Sequence, residues 1–389
     1  NWLCGGTCGE IPAGSLSVIS PSMRPIKATM SLAALLSNLA VVRHHAPHSR
    51  VWAVVKADAY GHGLMRLLPA LQKADGLALL ELNAASALRE AGYSGPLLML
   101  EGFFTADELE TFSRLKLVAV VHSLEQLAML ESARPVAPLD VYVKFNAGMN
   151  RLGFAPDSAA SVLQRLAGCA NVAQVTLMTH FADADGSRGI DEAMNCIAAV
   201  AQNVTPSLAN MPRSFANSAA LLRYPATHAD WVRPGIVLYG CTPFGDEPVQ
   251  PAQSFGLKPV MTLTSRIIAV QHLRAGDRIG YGGTYTASGT MRVGIVACGY
   301  ADGYPRHAPG DKKSGTPVLV NGKRTRTVGR VSMDMLFVDI SAMPEAAVGS
   351  GVTLWGEGLS ADEVALACGT VSYELLCALA HRVPVHVTQ

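Results

Sequence analysis

Lys56 stands at the end of an apolar run, Val51-Trp-Ala-Val-Val55, and is followed by Ala-Asp-Ala-Tyr60-Gly-His62-Gly63. A run this rich in β-branched and aromatic residues reads as a short buried strand, so the ammonium emerges where a strand meets its loop. Partial desolvation there makes the neutral amine accessible. A neutral lysine condenses with an aldehyde to a Schiff base, the bond by which proteins usually hold pyridoxal phosphate. The competing reading is a lysine that snorkels from a strand end to solvent. Tyr60, Gly61, His62 and Gly63 weigh against it, because a hydroxyl with close-lying backbone amides binds phosphate without a large positive field. Further along, polar residues again close apolar runs: Lys144 to Arg151, His180, Asn217 with Ser218, and Arg233.

Stepping strand-like runs position these residues. Eight are read between Val51 and Leu238: Val51–Val55, Gly76–Leu80, Leu97–Leu100, Leu117–Val121, Leu139–Phe145, Val175–Thr179, Arg213–Ala216 and Gly235–Leu238. Amphipathic segments such as Asn83–Ala91, Ser123–Glu131 and Ser158–Leu166 lie between them, the alternation of a parallel sheet. Eight strand-helix units fit a closed (β/α)8 barrel of the TIM type better than an open sheet, and in a barrel the chemistry sits at the C-terminal strand ends. After Thr242 the pattern changes. Met261–Val270, Arg278–Tyr281, Met291–Ala297, Pro317–Val320, Thr325–Ile340 and Val352–Trp355 read as strands without intervening helices, and Asn321-Gly322 as a hairpin turn. Ser360-Ala-Asp-Glu363 has the capping-box pattern ahead of Val364–Cys368, and a short helix is expected from Tyr373 to Ala380. The organisation expected is thus α/β plus β: a barrel over residues 23–250 and a mainly-β domain over 251–389.

Composition narrows the function. The 389 residues are 49% hydrophobic and 16% charged, enough for a large core in two domains. Thirty-one basic residues against thirty acidic ones leave no footprint for nucleic acid or anionic membrane, so a small-molecule partner is expected. Eight scattered cysteines without a Cys-x-x-Cys pair suggest reduced thiols, a cytoplasmic setting and no metal site. Asn1 to Ser22 contains no lysine or arginine and precedes Met23-Arg24-Pro25. We expect Met23 to be the natural start and residues 1–22 to be a non-native or disordered extension.

The lysine, the barrel and the trailing β domain coincide with specific wording. The sequence resembles alanine racemase, closest to the catabolic branch, from Met23 to Val387. The resemblance is carried by Lys56-Ala-Asp-Ala-Tyr-Gly-His-Gly63, Gly148-Met-Asn-Arg151-Leu-Gly153, Gly299-Tyr-Ala-Asp-Gly303, Val331-Ser-Met-Asp334 and Val371-Ser-Tyr-Glu374. It implies that Lys56 carries pyridoxal 5'-phosphate and that Tyr60, Ser218, the backbone of Gly235 and Ile236, and the Tyr373 hydroxyl bind its phosphate, with Asn217 beside them. Arg233 is implied to face the pyridine nitrogen. A guanidinium holds its proton up to a pKa above about 12, so it donates a hydrogen bond and limits electron flow into the ring. His180 is implied to lie beside that ring, hydrogen-bonded to Arg233.

Inversion at one carbon needs a proton carrier on each face. The resemblance gives these roles to Lys56 and to Tyr281 from a neighbouring subunit, which implies a head-to-tail homodimer with shared active sites. Arg151 and the Met333 amide of the partner subunit are implied to meet the substrate carboxylate. Tyr281, Tyr300 and Tyr373 leave room for little more than a methyl group, hence alanine. Asp185, Arg306 and Arg330 match an outer access corridor. The chain departs from many relatives at Lys144-Phe-Asn146, where they carry a small aliphatic residue and then aspartate. Lys144 is expected to be carbamylated, the new carboxylate orienting Arg151. The alternatives weighed are a barrel decarboxylase, against which Arg233 argues, a broader racemase, and a single-barrel cofactor carrier, against which Tyr281 argues. Supply of D-alanine to the cell wall and breakdown of alanine use the same reversible chemistry.

Overall fold

Apolar runs fold into strands, and the amphipathic stretches between them into helices, some of which, such as Leu32–His45 and Leu124–Ser132, are capped by a serine side chain. The computed structural model describes residues 24–202, 208, 210–245, 250–310 and 315–389; the expectation for residues 1–22 and for Met23 lies outside these. Strand β1 (Lys27–Ser31) leads directly into a helix, Leu32–His45, whose N-cap Ser31 accepts from the Ala34 amide. Then come β2 (Arg50–Val54), β3 (Gly76–Leu79), β4 (Leu97–Met99), β5 (Leu117–Val121), β6 (Leu139–Lys144), β7 (Val172–Met178), β8 (Arg213–Ser214) and β9 (Trp231–Val232). The three amphipathic segments noted above form the helices Leu82–Glu90, Leu124–Ser132 and Ala159–Gly168.

Strands β2 to β9 form an eight-stranded sheet of order β8-β7-β6-β5-β4-β3-β2-β9 in which every pairing is parallel. The two ends meet: Asp230 N donates to Arg213 O at 3.2 Å and Arg233 N to Ala216 O at 2.9 Å, which closes the barrel. Its interior is floored by aromatics. Trp52 stacks on Trp231 with ring centroids 4.3 Å apart, and its Nε1 donates to the Tyr142 hydroxyl at 2.8 Å. Such a stack adds about 0.5–1.5 kcal/mol beyond the area it buries. Side chains two residues apart on a strand share a face. Tyr142 and Trp231 therefore place Lys144 and Arg233 one layer above this floor, at the C-terminal mouth.

The eighth strand differs from expectation. Gly235–Leu238 is not a strand: Ile236–Tyr239 is a buried 3-10 turn, and the barrel strand is Trp231–Val232. Pro234 has no amide to give a ladder, and an unbroken apolar run cannot reveal whether it is buried as strand or turn.

The second unit is a sheet built around the long strand β10 (Met261–Leu273), with β13 (Met291–Val296), β14 (Pro317–Val320), β15 (Lys323–Arg326), β16 (Leu336–Asp339), β17 (Gly351–Trp355) and β18 (Val385–Thr388). Between β10 and β13, β11 (Arg278–Ile279) and β12 (Tyr285–Thr286) form a separate two-stranded ribbon. Strand β1 belongs to this sheet too, antiparallel to β10 and parallel to β18, so both ends of the described chain are stitched into it. The expected single run Thr325–Ile340 is two strands. Gly329 turns the chain with φ +68°, and Thr327 bridges back to Val338. Ser360 caps the helix Ala361–Ala367 as expected, but the Glu363 carboxylate pairs with Arg324 instead of returning to the cap. Among the described residues, no helix is long and apolar enough to cross a membrane.

Candidate active site

The mouth of the barrel opens into a cavity of about 700 Å³. Lys56 enters it from an unusual piece of backbone. Ala57, Asp58, Ala59 and Tyr60 have φ between +51° and +55°, a left-handed turn of four consecutive non-glycine residues that ends at Gly61 with φ +77°. Each such residue costs about 1–2 kcal/mol, so roughly 4–8 kcal/mol of strain must be offset by bonds around the turn. The compensation is visible. Ala59 N bonds Val55 O, Gly61 N bonds Ala57 O, and the Asp58 carboxylate accepts from Leu64 N at 2.7 Å. The result is that Lys56 and Tyr60, at the two ends of the turn, both line the cavity.

The Tyr60 ring stacks on Tyr239 at 4.6 Å and lies 6.0 Å from the Tyr373 ring. Burial pushes its phenol above the ordinary range, so it remains a donor. Opposite it, Gly235 comes so near that a Cβ there would lie 2.3 Å from the Tyr60 hydroxyl. The Ser218 hydroxyl accepts from Gly235 N at 2.9 Å, and Ile236 and Tyr373 also line this side. Two hydroxyls beside a backbone that only glycine allows form a cradle fitted to a phosphate. Asn217 is next to it. Its Oδ1 caps the helix Ser218–Arg223 and its Nδ2 donates to Phe181 O, so it holds the cradle's backbone.

Arg233 is 4% exposed, and all four terminal hydrogens of its guanidinium are engaged. Nη1 donates to Ser214 O and Oγ, both at 2.7 Å, and Nη2 to Thr179 O at 2.6 Å and Phe215 O at 3.2 Å. Nε is left without a protein acceptor among the described residues. Burial lowers this guanidinium to about 10, which still leaves it charged at neutral pH. The expected bond from His180 to Arg233 is not among those found: carbonyl oxygens and Ser214 occupy the terminal nitrogens, and Nε does not bond His180. His180 instead shares the cavity wall. Burial, and then the charges of Arg233, Lys144, Arg151 and Lys56, hold it well below its usual value, so its ring is neutral.

Lys144 is 6% exposed, and burial followed by the cations Arg233, Arg151 and Lys56 lowers its ammonium to about 8. Arg151 reaches the cavity from a loop pinched shut at its base, where Asn146 N bonds Phe154 O and Phe154 N bonds Lys144 O. Asn146 shapes that loop: its Oδ1 accepts from Gly148 N and Asn150 N, and its Nδ2 donates to Asn150 Oδ1. Asparagine thus supplies the acceptor that aspartate would, with an added donor.

Three expected site residues, Tyr281, Tyr300 and Met333, do not line this chain's own cavity. Tyr281 sits at the tip of the β11–β12 ribbon, 70% exposed. Tyr300 and Met333 are brought together, Ala301 N bonding Met333 O and Tyr300 N bonding Ser332 O, but neither lines the cavity. Arg306 lies over the Tyr300 ring, and Arg330 beside Gly282, while Asp185 is at the cavity wall.

Sequence reasoning passed over Glu101 and His122, which also line the cavity. Both directly follow apolar runs, the signal that identified Lys56 and His180. It also left unassigned His62, whose Nδ1 donates to two carbonyls of the left-handed turn, and Asp302, which is wholly buried between Arg24 and Arg382.

Residues 30–243 match the family described as alanine racemase, N-terminal domain, and residues 260–387 match alanine racemase, C-terminal domain. Among curated relatives, an alanine racemase of Nitrosospira multiformis is 58% identical over 361 residues, covering 92% of this chain and 98% of the relative. A catabolic alanine racemase of Salmonella typhimurium is 54% identical, covering 94% and 99%. Among solved structures, the biosynthetic alanine racemase of Pseudomonas aeruginosa superposes with a TM-score of 0.87 at 44% identity, covering 94% of this chain and all of that one. Matched in both halves, the chain belongs to the alanine racemase family and is an enzyme of that activity, an isomerase.

Proposed function

We propose that the chain interconverts L-alanine and D-alanine with pyridoxal 5'-phosphate, using Lys56 on one face of the substrate and Tyr281 of the partner subunit on the other. The observation that carries this reading is Arg233: four fixed hydrogen bonds spend its terminal nitrogens and leave Nε, in the same cavity as Lys56. A charged donor immobilised in that way suits a ring nitrogen that must accept a hydrogen bond but not a proton. The residues fit the cofactor on the phosphate side as well, since Gly235 makes room against Tyr60 and Ser218. Lys56 would hold the aldehyde, and Tyr60, Ser218, Ile236 and Tyr373 the phosphate. Bound there, the cofactor supplies an electron sink that acidifies the Cα–H bond of alanine.

The remaining work falls to the chain's own side chains. The Lys56 Nζ would move the proton on one face, and the Tyr281 hydroxyl of the partner subunit on the other. Arg151 clamps the substrate carboxylate, aided by the Met333 amide of the partner subunit, and Tyr300 narrows the space for the methyl group. Exposure of Tyr281, Met333 and Tyr300 at 70%, 53% and 38% supports a head-to-tail homodimer, because it leaves these side chains free to meet a partner subunit.

Lys144 is proposed to be carbamylated. Its low exposure and lowered ammonium favour the neutral amine, which adds to carbon dioxide through a new N–C bond and releases a proton. The product replaces a cation facing Lys56, Arg151 and Arg233 by an anion, which relieves repulsion and orients Arg151. Asn146 supports placement in the catabolic branch. The test of the whole reading is to mix purified protein with L-alanine and the cofactor and follow optical rotation, with borohydride trapping and peptide mapping. D-alanine formation with the label on Lys56 is expected; no rotation change, or a label elsewhere, refutes it.

A further inference from the structure

We propose that His62 is a positioning residue of the active site, its Nδ1–H clamping the left-handed turn Ala57–Tyr60 and thereby aiming Lys56 and Tyr60 into the cavity. This rests on the roles given above to those two residues. His62 is 0% exposed, and its Nδ1 lies 3.0 Å from Ala59 O and 2.9 Å from Tyr60 O. Both carbonyls belong to residues held at positive φ, where strain persists only if neighbouring groups over-determine the backbone. Two acceptors at one ring nitrogen fix the tautomer with hydrogen on Nδ1. Burial lowers the ring to about 4, so at neutral pH it carries that single proton.

The rest of the ring shows that packing is not its purpose. Among the described residues Nε2 is buried without a hydrogen-bond partner, a cost that an apolar side chain of similar size would avoid. The ring instead lies 4.7 Å from Tyr239, which stacks on Tyr60 and whose hydroxyl donates to Val54 O at 2.9 Å. His62 and Tyr239 therefore hold the backbone on both sides of Lys56: Val54 before it, Ala59 and Tyr60 after it. The turn also abuts the helix that carries Tyr373, since a Cβ on Gly61 would lie 2.3 Å from Leu376 O. Freed from the clamp, it would shift the hydroxyls of Tyr60 and Tyr373 at the phosphate cradle.

The test compares His62→Leu, which fills the space and removes both the donor and the orphaned Nε2, with His62→Asn, whose side-chain amide nitrogen can occupy the place of Nδ1. Three readouts are needed: the urea unfolding midpoint, amide exchange of the peptide spanning residues 57–63, and uptake of pyridoxal phosphate followed by the absorbance of the bound cofactor. His62→Leu is expected to unfold at the wild-type urea concentration or above, with exchange at 57–63 faster and cofactor affinity about 10- to 100-fold weaker; His62→Asn restores most of both. Wild-type affinity and exchange in His62→Leu would overturn the proposal. So would losses that merely track a lower unfolding midpoint and are shared by His62→Asn. Failure of the unsubstituted chain to take up the cofactor overturns the reading of the cavity, and is recognised before any substitution is compared.

Discussion

Asp302→Asn should destabilise the fold by about 3 kcal/mol. The Asp302 side chain is 0% exposed and its carboxylate accepts four bonds: from Arg24 Nη1 at 2.8 Å and Nη2 at 3.1 Å, Arg382 Nε at 2.7 Å, and Gly299 N at 2.9 Å. Removing one partner of a buried ion pair costs roughly 3–5 kcal/mol. The lower figure applies because Arg24 and Arg382 are 35% and 41% exposed and can turn to water once released. Asparagine of the same shape keeps one acceptor but turns an NH2 group toward a guanidinium. Burial by itself would raise the Asp302 carboxyl; the bonds from Arg24, Arg382 and Gly299 outweigh it and hold the group below its usual value. A depressed carboxyl stabilises the fold fully above its unfolded pKa, near 3.9, and progressively less as pH falls through its folded one. Urea unfolding is the assay, read as a shift in midpoint at constant slope. The difference between wild type and variant should shrink on acidification below pH ~4. A loss under about 1 kcal/mol at neutral pH, or a difference that does not shrink in acid, would refute this account of the cluster.

Gly235→Ala puts a methyl group 2.3 Å from the Tyr60 hydroxyl, so cofactor affinity in an absorbance titration should fall at least about tenfold while the chain stays folded; an unchanged affinity would remove the cradle from the site. Tyr281→Phe changes an exposed side chain, so stability should move by less than about 0.5 kcal/mol, whereas racemisation followed by optical rotation should slow about 10²- to 10⁴-fold. His62 titrates at about 4 in the fold and at 6.5 when unfolded, so the unfolded chain binds the extra proton between those values. Stability should rise by about 3 kcal/mol as pH increases across that window, and His62→Leu should abolish this component of the slope in pH-dependent urea unfolding.

The barrel was legible because each strand end breaks an apolar run with a polar residue, and Lys56, Lys144, His180 and Arg233 stand at such breaks. Trp231–Val232 escaped notice because the longer apolar stretch after Pro234 is the stronger signal, although it is buried as a turn. Nothing in Ala57-Asp-Ala-Tyr60 announces a left-handed turn. Alanine is a helix former with no preference for positive φ, and the conformation is held by Asp58 within the turn, by His62 two residues beyond it and by Tyr239 from across the barrel. Strand β1 was missed for a similar reason: Lys27–Ser31 is short, and its partners β10 and β18 lie more than two hundred residues away in the chain. Residue type alone does not place Tyr281 and Tyr300 outside the chain's own cavity, since an aromatic that packs and one that projects read alike; for Tyr281 and Met333 a partner's site was implied by the resemblance alone.

The cavity is built for anions, and that constrains how its parts act together. Of the ionisable side chains along its wall, Lys56, Lys144, Arg151 and Arg233 are cationic types against the carboxylates Glu101 and Asp185. The excess is expressed where it can be: Lys144 is lowered toward neutrality and His180 is driven well below its usual value, both by burial first and by their cationic neighbours second. Arg233 cannot escape in this way and stays charged, spending four bonds to remain in place. A phosphate in the cradle by Tyr60 and Ser218, a carboxylate on Arg151 and a carbamate on Lys144 would each cancel part of this excess. The same anions would therefore both restore charge balance and fix the geometry of the site.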